Sequence, residues 1–246
     1  MKSARFKRLS LHVPALPCWC HAGCFLFSLW CLLVVPSVSA APQQHKIDKQ
    51  INILRPYQSH IQKRLSQFSP LVNRIFSQLD EKSLPSSLVL VPMLESSFDA
   101  SAVSHANAAG LWQLIPATAR RFGLRVDGTN DQRFDSQAST QAALKYLQFL
   151  YNKFDQDLAL TLAAYNAGEG RVARAVKRAG TREFAKLPLP QETRQYVQRF
   201  YALKTLVDIS KLQRSSFRPL FLYAGNTQDN QMPLVDFSPL PPLISL

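Results

Sequence analysis

The spacing of apolar residues is the feature that most constrains the fold of this chain. From residue 70 to residue 212 they recur every three or four positions, as at Val72, Ile75, Phe76 and Leu79, which is the period of a helix with one buried face. Apolar and polar residues almost never alternate as they do in a half-buried strand. The sequence therefore predicts a single, mainly α-helical domain with little or no β-structure.

Glycine, proline and capping residues place the ends of about seven predicted helices. Ser69 is a candidate N-cap. A later helix carries Pro92 in its interior, where a proline bends a helix. Gly110 makes a turn that is predicted to lead directly into a short helix, and Gly123 ends that helix.

Residues 1–40 are predicted to be a secretory signal peptide rather than part of the fold. A basic start is followed by an apolar run over residues 23–35, and Val38 and Ala40 fit the small-residue positions before a cleavage site. The alternative is a membrane anchor, but a run of about a dozen residues is shorter than the ~20 that a spanning helix needs. We therefore expect an exported protein with no stable membrane span after cleavage.

The cysteine content bears on the stability of the exported chain, and its charge bears on the partners that it can bind. All four cysteines lie in the predicted leader, so the core must supply stability without disulfides. The formal net charge of +13 falls to +9 when the four cations of the leader are removed. Outside the cytoplasm this charge favours an anionic envelope surface or polymer over nucleic acid, although an ordinary solvated surface explains it equally well. Metal-ligand spacings and phosphate-binding glycine loops are absent from the sequence, so we expect no metal and no cofactor.

The chain after the leader divides into three predicted parts. Residues 41–69 form a lead-in with a weak helical stripe made by Ile51, Leu54, Ile61 and Leu65. Residues 70–212 form the main domain. Residues 213–246 are a proline-rich tail that is expected to be extended or loosely packed, because proline interrupts both helices and central strands.

One carboxylate, Glu95, ends an apolar run over residues 88–94. One interpretation places Glu95 at the polar edge of a core helix with its carboxylate in water, as is usual for an isolated glutamate. The other is a general acid whose pKa is raised by apolar surroundings, so that it keeps its proton near neutral pH. The sequence around Glu95 distinguishes the two.

Three blocks that follow in order resemble the signature of the soluble-lytic-transglycosylase (SLT) catalytic domain of murein-cleaving enzymes, which has a goose-type lysozyme-like fold. They are Glu95–Phe98, Ala109–Ala119 and Ala164–Gly170. Residues 187–197 and the 107–110 spacing are most similar to the membrane-bound lytic murein transglycosylase D branch. The resemblance covers residues 70–212. The LysM sugar-binding repeats and lipoprotein cysteine frequent in that branch are not seen.

The resemblance implies a periplasmic enzyme that acts on the glycan strands of peptidoglycan. Glu95 would protonate the oxygen between N-acetylmuramic acid and N-acetylglucosamine. As a carboxylate it would then accept the proton of the 6-hydroxyl, which closes a 1,6-anhydro ring without water. Other envelope proteins that it contacts are not identified by the sequence.

The resemblance also assigns substrate contacts residue by residue, each with a structural alternative. The implied substrate-binding residues are Ser104, Gln113, Ala164, Tyr165, Asn166, Glu192 and Tyr196. Ser104 could instead stabilise a turn, Asn166 could cap a helix, and Glu192 could complement a helix dipole. Tyr165 is expected to direct its hydroxyl toward Glu95 or the sugar. Trp112 is as consistent with core packing as with a sugar platform.

Two other functions remain open at this point. A muramidase would cleave the same bond with water and leave a reducing end. Goose-type lysozymes have additional acidic residues that position this water, and we can assign no such residue in this sequence. A catalytically idle murein-binding scaffold would be expected to lose Glu95 or the Tyr165–Asn166 pair, and all three are present. Asp131, Arg133 and Asp135 fit a structural charge cluster better than catalysis.

Overall fold

The structure, a computed structural model, describes residues 44–216, and this part of the chain is built from helices. Its α-helices are α1 Gln44–Leu54, α2 Gln58–Gln67, α3 Ser69–Glu81, α4 Val91–Ser96, α5 Pro116–Arg121, α6 Ser136–Lys153, α7 Leu158–Ala167, α8 Glu169–Ala179, α9 Gln191–Leu206 and α10 Ile209–Ser216. Short 3₁₀ segments cover Arg55–Tyr57, Ser86–Leu90 and Phe184–Lys186. Within residues 44–216 the only β-pairing is a few isolated bridges, so the mainly helical prediction is confirmed. None of the helices in this range is both long and apolar enough to cross a membrane.

Helix α7 lies at the centre of the core. Every residue from Ala159 to Ala164 is fully buried, as expected for a helix that is apolar on all sides. It packs against α6, α8 and α9, and its small alanine side chains allow these neighbours to approach closely. Because Tyr165 and Asn166 lie in the last turn of α7, this packing fixes the position of both residues.

The predicted helical stripe in residues 41–69 is confirmed, and it is buried. Ile51, Leu54, Ile61 and Leu65 are each at most 8% exposed and belong to the same apolar core as the later helices. Helix α1 packs along α9, and the Gln58 side chain of α2 donates to the carbonyl of Leu206 at 2.9 Å.

Two predicted helix starts differ from the structure. Ser69 is the first residue of α3 rather than its cap; the cap position is Phe68, and no side chain caps it. Pro92 lies in the first turn of α4, after the 3₁₀ segment Ser86–Leu90, rather than inside a longer helix. A proline in the first turn loses no hydrogen bond, so no bend is required.

The short helix after Gly110 begins later than predicted, at Pro116. The intervening residues form tight turns instead, in which the amides of Ala109 and Leu114 each donate to the other's carbonyl at 3.2 Å. Helix α6 begins at Ser136 as predicted, with the carboxylate of Asp135 accepting from the amides of Gln137 and Ala138.

Two of the predicted segments, at the ends of the chain, lie wholly or mostly outside the described residues. The predicted signal peptide and most of the proline-rich tail lie outside residues 44–216. Helix α10 reaches Ser216, beyond the predicted start of the tail at residue 213.

Candidate active site

Glu95 lies in the last turn of α4, at the end of a fully apolar segment. Val91, Met93 and Leu94 are at most 2% exposed, whereas Glu95 itself is half-buried. Burial raises the pKa of Glu95 to about 7, and a hydrogen bond from Tyr196 opposes part of that rise. The carboxyl therefore keeps its proton to near neutral pH, as the apolar run predicts. No other carboxylate in residues 44–216 contributes to this pKa.

Tyr196 is the direct partner of Glu95. Its hydroxyl, carried by α9, donates to Oε1 of Glu95 at 2.6 Å, and its side chain is 2% exposed. The predicted role of Tyr196 as a far-wall substrate contact is therefore corrected: the side chain is covered by the core and reaches the carboxylate. Burial and the nearby Glu95 charge raise the pKa of Tyr196 well above its usual range, so it remains a donor.

The backbone after Glu95 turns sharply and is held from several sides. Ser97 and Phe98 both have positive φ, at 53° and 64°, a region that is costly for residues with a side chain. The Ser96 hydroxyl donates to the carbonyl of Leu111 at 2.9 Å, and Nε of Arg64 donates to the carbonyl of Ser97 at 2.7 Å. These bonds, together with the buried Phe98 ring, fix the end of α4 and hence the position of Glu95.

Tyr165 lies close enough to Glu95 for the carboxylate charge to raise its pKa, in addition to a larger effect of burial. Its hydroxyl, however, donates to the carbonyl of Trp112 at 2.7 Å and not to Glu95, so the Glu95 alternative is wrong and a contact with the sugar stays a prediction. The Tyr165 ring packs on the ring of Tyr146, with centroids 5.3 Å apart. Tyr165 thus joins α7 to the Gly110–Ile115 turns.

Ala164 and Asn166 have different surroundings, although they flank Tyr165. Ala164 is fully buried, and its carbonyl accepts from the amide of Gly168 at 2.8 Å and from the hydroxyl of Tyr146 at 3.4 Å. Its predicted contact with substrate is therefore not supported by its position. Asn166 is half-buried in the last turn of α7, and Gly168, with φ +86°, ends that helix. The alternative of Asn166 as a helix cap is thus wrong.

The loop after Glu95 carries Ser104 and Gln113, both half-exposed. The Ser104 hydroxyl accepts from the amide of Ala108 at 3.1 Å, which is the turn-stabilising alternative, and its own proton remains available to donate. Nε2 of Gln113 donates to the carbonyls of Ala102 at 3.1 Å and Gly110 at 2.9 Å. The amide nitrogen of Gln113 therefore closes the loop, and its amide oxygen is the atom left for a ligand.

The remaining predicted residues divide into structural and surface positions. Trp112 is fully buried and its Nε1 donates to Thr140 Oγ1 at 2.9 Å, so the core-packing alternative is confirmed. Glu192 is exposed in the first turn of α9, one turn before Tyr196. No cluster of three or more metal-ligating side chains occurs in residues 44–216.

Arg133 is the structural centre of the loop, as predicted for the charge cluster. It is 4% exposed and pairs with Asp131 at 2.6 Å, which holds the pKa of that carboxyl below its usual value. Its Nη1 donates to the carbonyls of Asn107 at 2.6 Å and Leu114 at 3.1 Å. A buried guanidinium with these partners is satisfied and fixes the loop that carries Ser104 and Gln113.

Comparisons with known proteins agree with this geometry. Residues 74–188 match the family model described as the transglycosylase SLT domain. The chain is 41% identical over 187 residues to the membrane-bound lytic murein transglycosylase D of Escherichia coli (strain K12), an alignment covering 74% of this chain and 41% of that protein. It is 36% identical over 123 residues to the peptidoglycan transglycosylase gp16 of Escherichia phage T7, covering 49% of this chain and 9% of that protein.

A solved structure shows the same fold. The 70 kDa soluble lytic transglycosylase from Escherichia coli superposes with a TM-score of 0.51 and 24% sequence identity, covering 66% of this chain and 29% of that chain. The described region is therefore a helical, lysozyme-like domain that carries a half-buried glutamate with a raised pKa. More specifically, residues 74–188 form a transglycosylase SLT domain. The chain spans about two fifths of the length of the transglycosylase D that it matches.

Proposed function

We propose that this protein is a lytic murein transglycosylase that cleaves the bond from N-acetylmuramic acid to N-acetylglucosamine in peptidoglycan. The observation that carries the proposal is a single glutamate, Glu95, with a pKa raised to about 7, inside an SLT domain. A general acid is most effective when its pKa lies near the working pH. The relatives named as lytic murein and peptidoglycan transglycosylases support the same reaction class.

In the first step the protonated Glu95 donates to the bridging oxygen, and the bond from that oxygen to C1 of the muramic acid breaks. The leaving sugar departs with a neutral hydroxyl. Positive charge develops at C1 and is stabilised by the N-acetyl group of the substrate itself, which replaces the second carboxylate that other glycosidases use. Tyr196 donates to the newly formed Glu95 carboxylate and stabilises it.

In the second step the Glu95 carboxylate accepts the proton of the muramic acid 6-hydroxyl. The hydroxyl oxygen bonds to C1 and closes the 1,6-anhydro ring, so the proton returns to Glu95 and no water is consumed. Glu95 is thereby ready for another cycle. This route needs no second carboxylate, because the substrate supplies both the stabilising N-acetyl group and the attacking hydroxyl.

Substrate contacts are proposed for the partly exposed residues around Glu95. The free proton of Ser104 would donate to the acetamido carbonyl, and the amide oxygen of Gln113 would accept from a sugar hydroxyl or amide. The half-buried side chain of Asn166, in the last turn of α7, would contact the sugar near C1. Exposed Glu192, in the first turn of α9, would contact the glycan strand away from the cleaved bond.

We further propose that the protein acts in the periplasm after signal cleavage.

Mass spectrometry of the fragments released from purified peptidoglycan tests the reaction. Anhydro-ended products, one water lighter than hydrolysed ones, are expected. Reducing ends would instead identify a muramidase, and binding without any release would identify a scaffold.

The variant Glu95→Gln tests the single-acid mechanism. We expect turnover to fall by at least about a thousandfold, because the amide cannot donate or accept the catalytic proton. Sedimentation with insoluble peptidoglycan should remain at the wild-type level. Near-normal turnover in this variant would contradict the mechanism.

A further inference from the structure

Helix α8 carries a row of cations that the proposed reaction does not use. Arg171, Arg174, Lys177 and Arg178 are all exposed. Arg171, Arg174 and Arg178 follow an i, i+3, i+7 spacing and so share one face of the helix, with Lys177 beside them. We call these four residues the α8 cationic stripe.

The α8 cationic stripe has no ion-pair partner among the residues that the structure describes. Within residues 44–216 none of its four side chains takes part in an ion pair, in contrast to Arg121, Arg125, Arg133, Arg182 and Lys186. The only acid on α8 is Glu169, and it is paired with Arg121. Among the described residues the stripe is therefore a surface whose positive charge is not opposed by an ion pair.

Helix stability accounts for only part of the stripe. Lys177 and Arg178 lie in the last turn of α8, where cations interact favourably with the helix dipole. Arg171 is the third residue of α8, where the same dipole disfavours a cation. Three like charges on one face, with a fourth beside them, also repel one another, so a bound anion is the simplest compensation.

The position of α8 ties the stripe to the proposed active site. A single residue, Gly168, separates it from α7, which carries Tyr165 and Asn166. The buried face of α8, at Val172 and Ala175, packs on α7, so only its charged face is available to a partner. The stripe extends over about 10 Å, which matches roughly three residues of an extended peptide.

We propose that the α8 cationic stripe binds the carboxylates of the peptide stems attached to the glycan strand that Glu95 cleaves. This inference rests on the proposed function. In peptide-bearing peptidoglycan the muramic acid lactyl group is amide-linked, so the glycan itself is uncharged and the stems carry the carboxylates. Charge complementarity therefore directs the stripe to the stems rather than to the sugars.

The test combines a change in the protein with a change in the substrate. In the full chain, Arg174, Lys177 and Arg178 are each replaced by Gln; the control replaces exposed Lys46, Lys49 and Lys63 by Gln, which removes the same charge from α1 and α2. Both are assayed on native peptidoglycan and on peptidoglycan whose carboxylates have been amidated with carbodiimide and ammonia.

On native substrate we expect kcat/KM of the stripe variant to fall about tenfold and that of the control to stay within about twofold. On amidated substrate the wild type and the stripe variant should become equal. A deficit that persists on amidated substrate, or no deficit on either substrate, would overturn the proposal. So would loss of binding to phosphatidylglycerol vesicles with unchanged peptidoglycan cleavage, which would assign the stripe to a membrane surface.

A binding measurement separates this proposal from the proposed function. Sedimentation of the Glu95→Gln form with native and amidated peptidoglycan reports the stripe without turnover. The proposal predicts that this form binds amidated peptidoglycan more weakly than native peptidoglycan, and that the stripe substitutions abolish this difference. That result supports the stem contact even if the cleavage products prove to be hydrolytic. Equal binding to both materials contradicts it even if anhydro products are found.

Discussion

At the scale of single residues, the Glu95–Tyr196 pair sets the acidity of the site. Burial of Glu95 raises its pKa to about 7, and the Tyr196 hydroxyl lowers it from what burial alone would give. A hydroxyl that donates to a carboxylate stabilises the charged form. The two effects oppose each other, so the pKa of Glu95 depends on the balance between its burial and the hydrogen bond from Tyr196.

Replacing Tyr196 by Phe should move the pH dependence of catalysis. Without the donor the ionised form of Glu95 loses stabilisation, its pKa rises, and the basic limb of the kcat/KM profile moves to higher pH, by up to about one unit. The profile should be measured on a soluble peptidoglycan fragment from pH 5 to about 9. A limb that moves to lower pH would show that the bond acts on the protonated form instead.

Replacing Glu95 by Gln should also change the stability of the fold with pH. The folded pKa of Glu95, about 7, lies above its ordinary value of 4.5, so between these pH values the native state holds a proton that the unfolded chain has lost. Wild-type stability therefore declines from about pH 4.5 to pH 7 through this group.

Gln cannot ionise, so the variant escapes that decline. Urea unfolding should show similar stabilities at pH 4 and a variant more stable than wild type, by up to ~3 kcal/mol, above pH 7. A difference in stability between the two proteins that is independent of pH would mean that the pKa of Glu95 is not raised in the native state.

At the scale of elements, the loop between α4 and α5 depends on one glycine. Gly110 has φ +75°, and a Cβ placed there would lie 1.9 Å from the carbonyl oxygen of Arg133. That same arginine holds the loop through Asn107 and Leu114. The close approach of the two backbones fixes this part of the loop, which Ser96 of α4 contacts through the carbonyl of Leu111.

Gly110→Ala should therefore destabilise the protein by about 3 kcal/mol or more, because both the positive φ and the contact with backbone oppose a methyl group. Gly128→Ala is the matched control: its Cβ position is open and its φ is not in the left-handed region, so the change should be within about 0.5 kcal/mol. Chemical denaturation of both variants makes the comparison. Equal stabilities would contradict the packing described for Gly110.

At the scale of the whole molecule, α1 and α2 complete the core that supports the site. Helix α1 packs along α9, the same helix that presents Tyr196 to Glu95. Residues 44–67 therefore stabilise the helix that tunes the acid, although they lie before the residues that match the SLT family model.

Leu54→Ala should test this support. Leu54 is 4% exposed, whereas its neighbour Ile53 is 50% exposed on the same helix. Truncation of Leu54 should cost about 2–4 kcal/mol through lost burial and a cavity, and Ile53→Ala should cost less than about 1 kcal/mol. Thermal unfolding of the two variants distinguishes them. If both substitutions cost the same, α1 is not part of the core.

The sequence by itself determined the features that depend on local pattern. Helical periodicity predicted the class of fold, and Gly123 predicted the end of α5, because a glycine that ends a helix acts on its own stretch of backbone. The apolar run before Glu95 predicted a raised pKa, since neighbours within one turn of helix already desolvate the carboxyl.

Which side chains contact one another depends on the tertiary structure. Tyr196 is separated from Glu95 by 101 residues, and nothing in its own surroundings in the sequence indicates that its hydroxyl would be buried against that carboxylate. Tyr165 donates to Trp112 rather than to Glu95 because the packing of α7 brings that carbonyl within 2.7 Å. Such contacts depend on how helices that are distant in the sequence pack together, and the local spacing of apolar residues does not predict this packing.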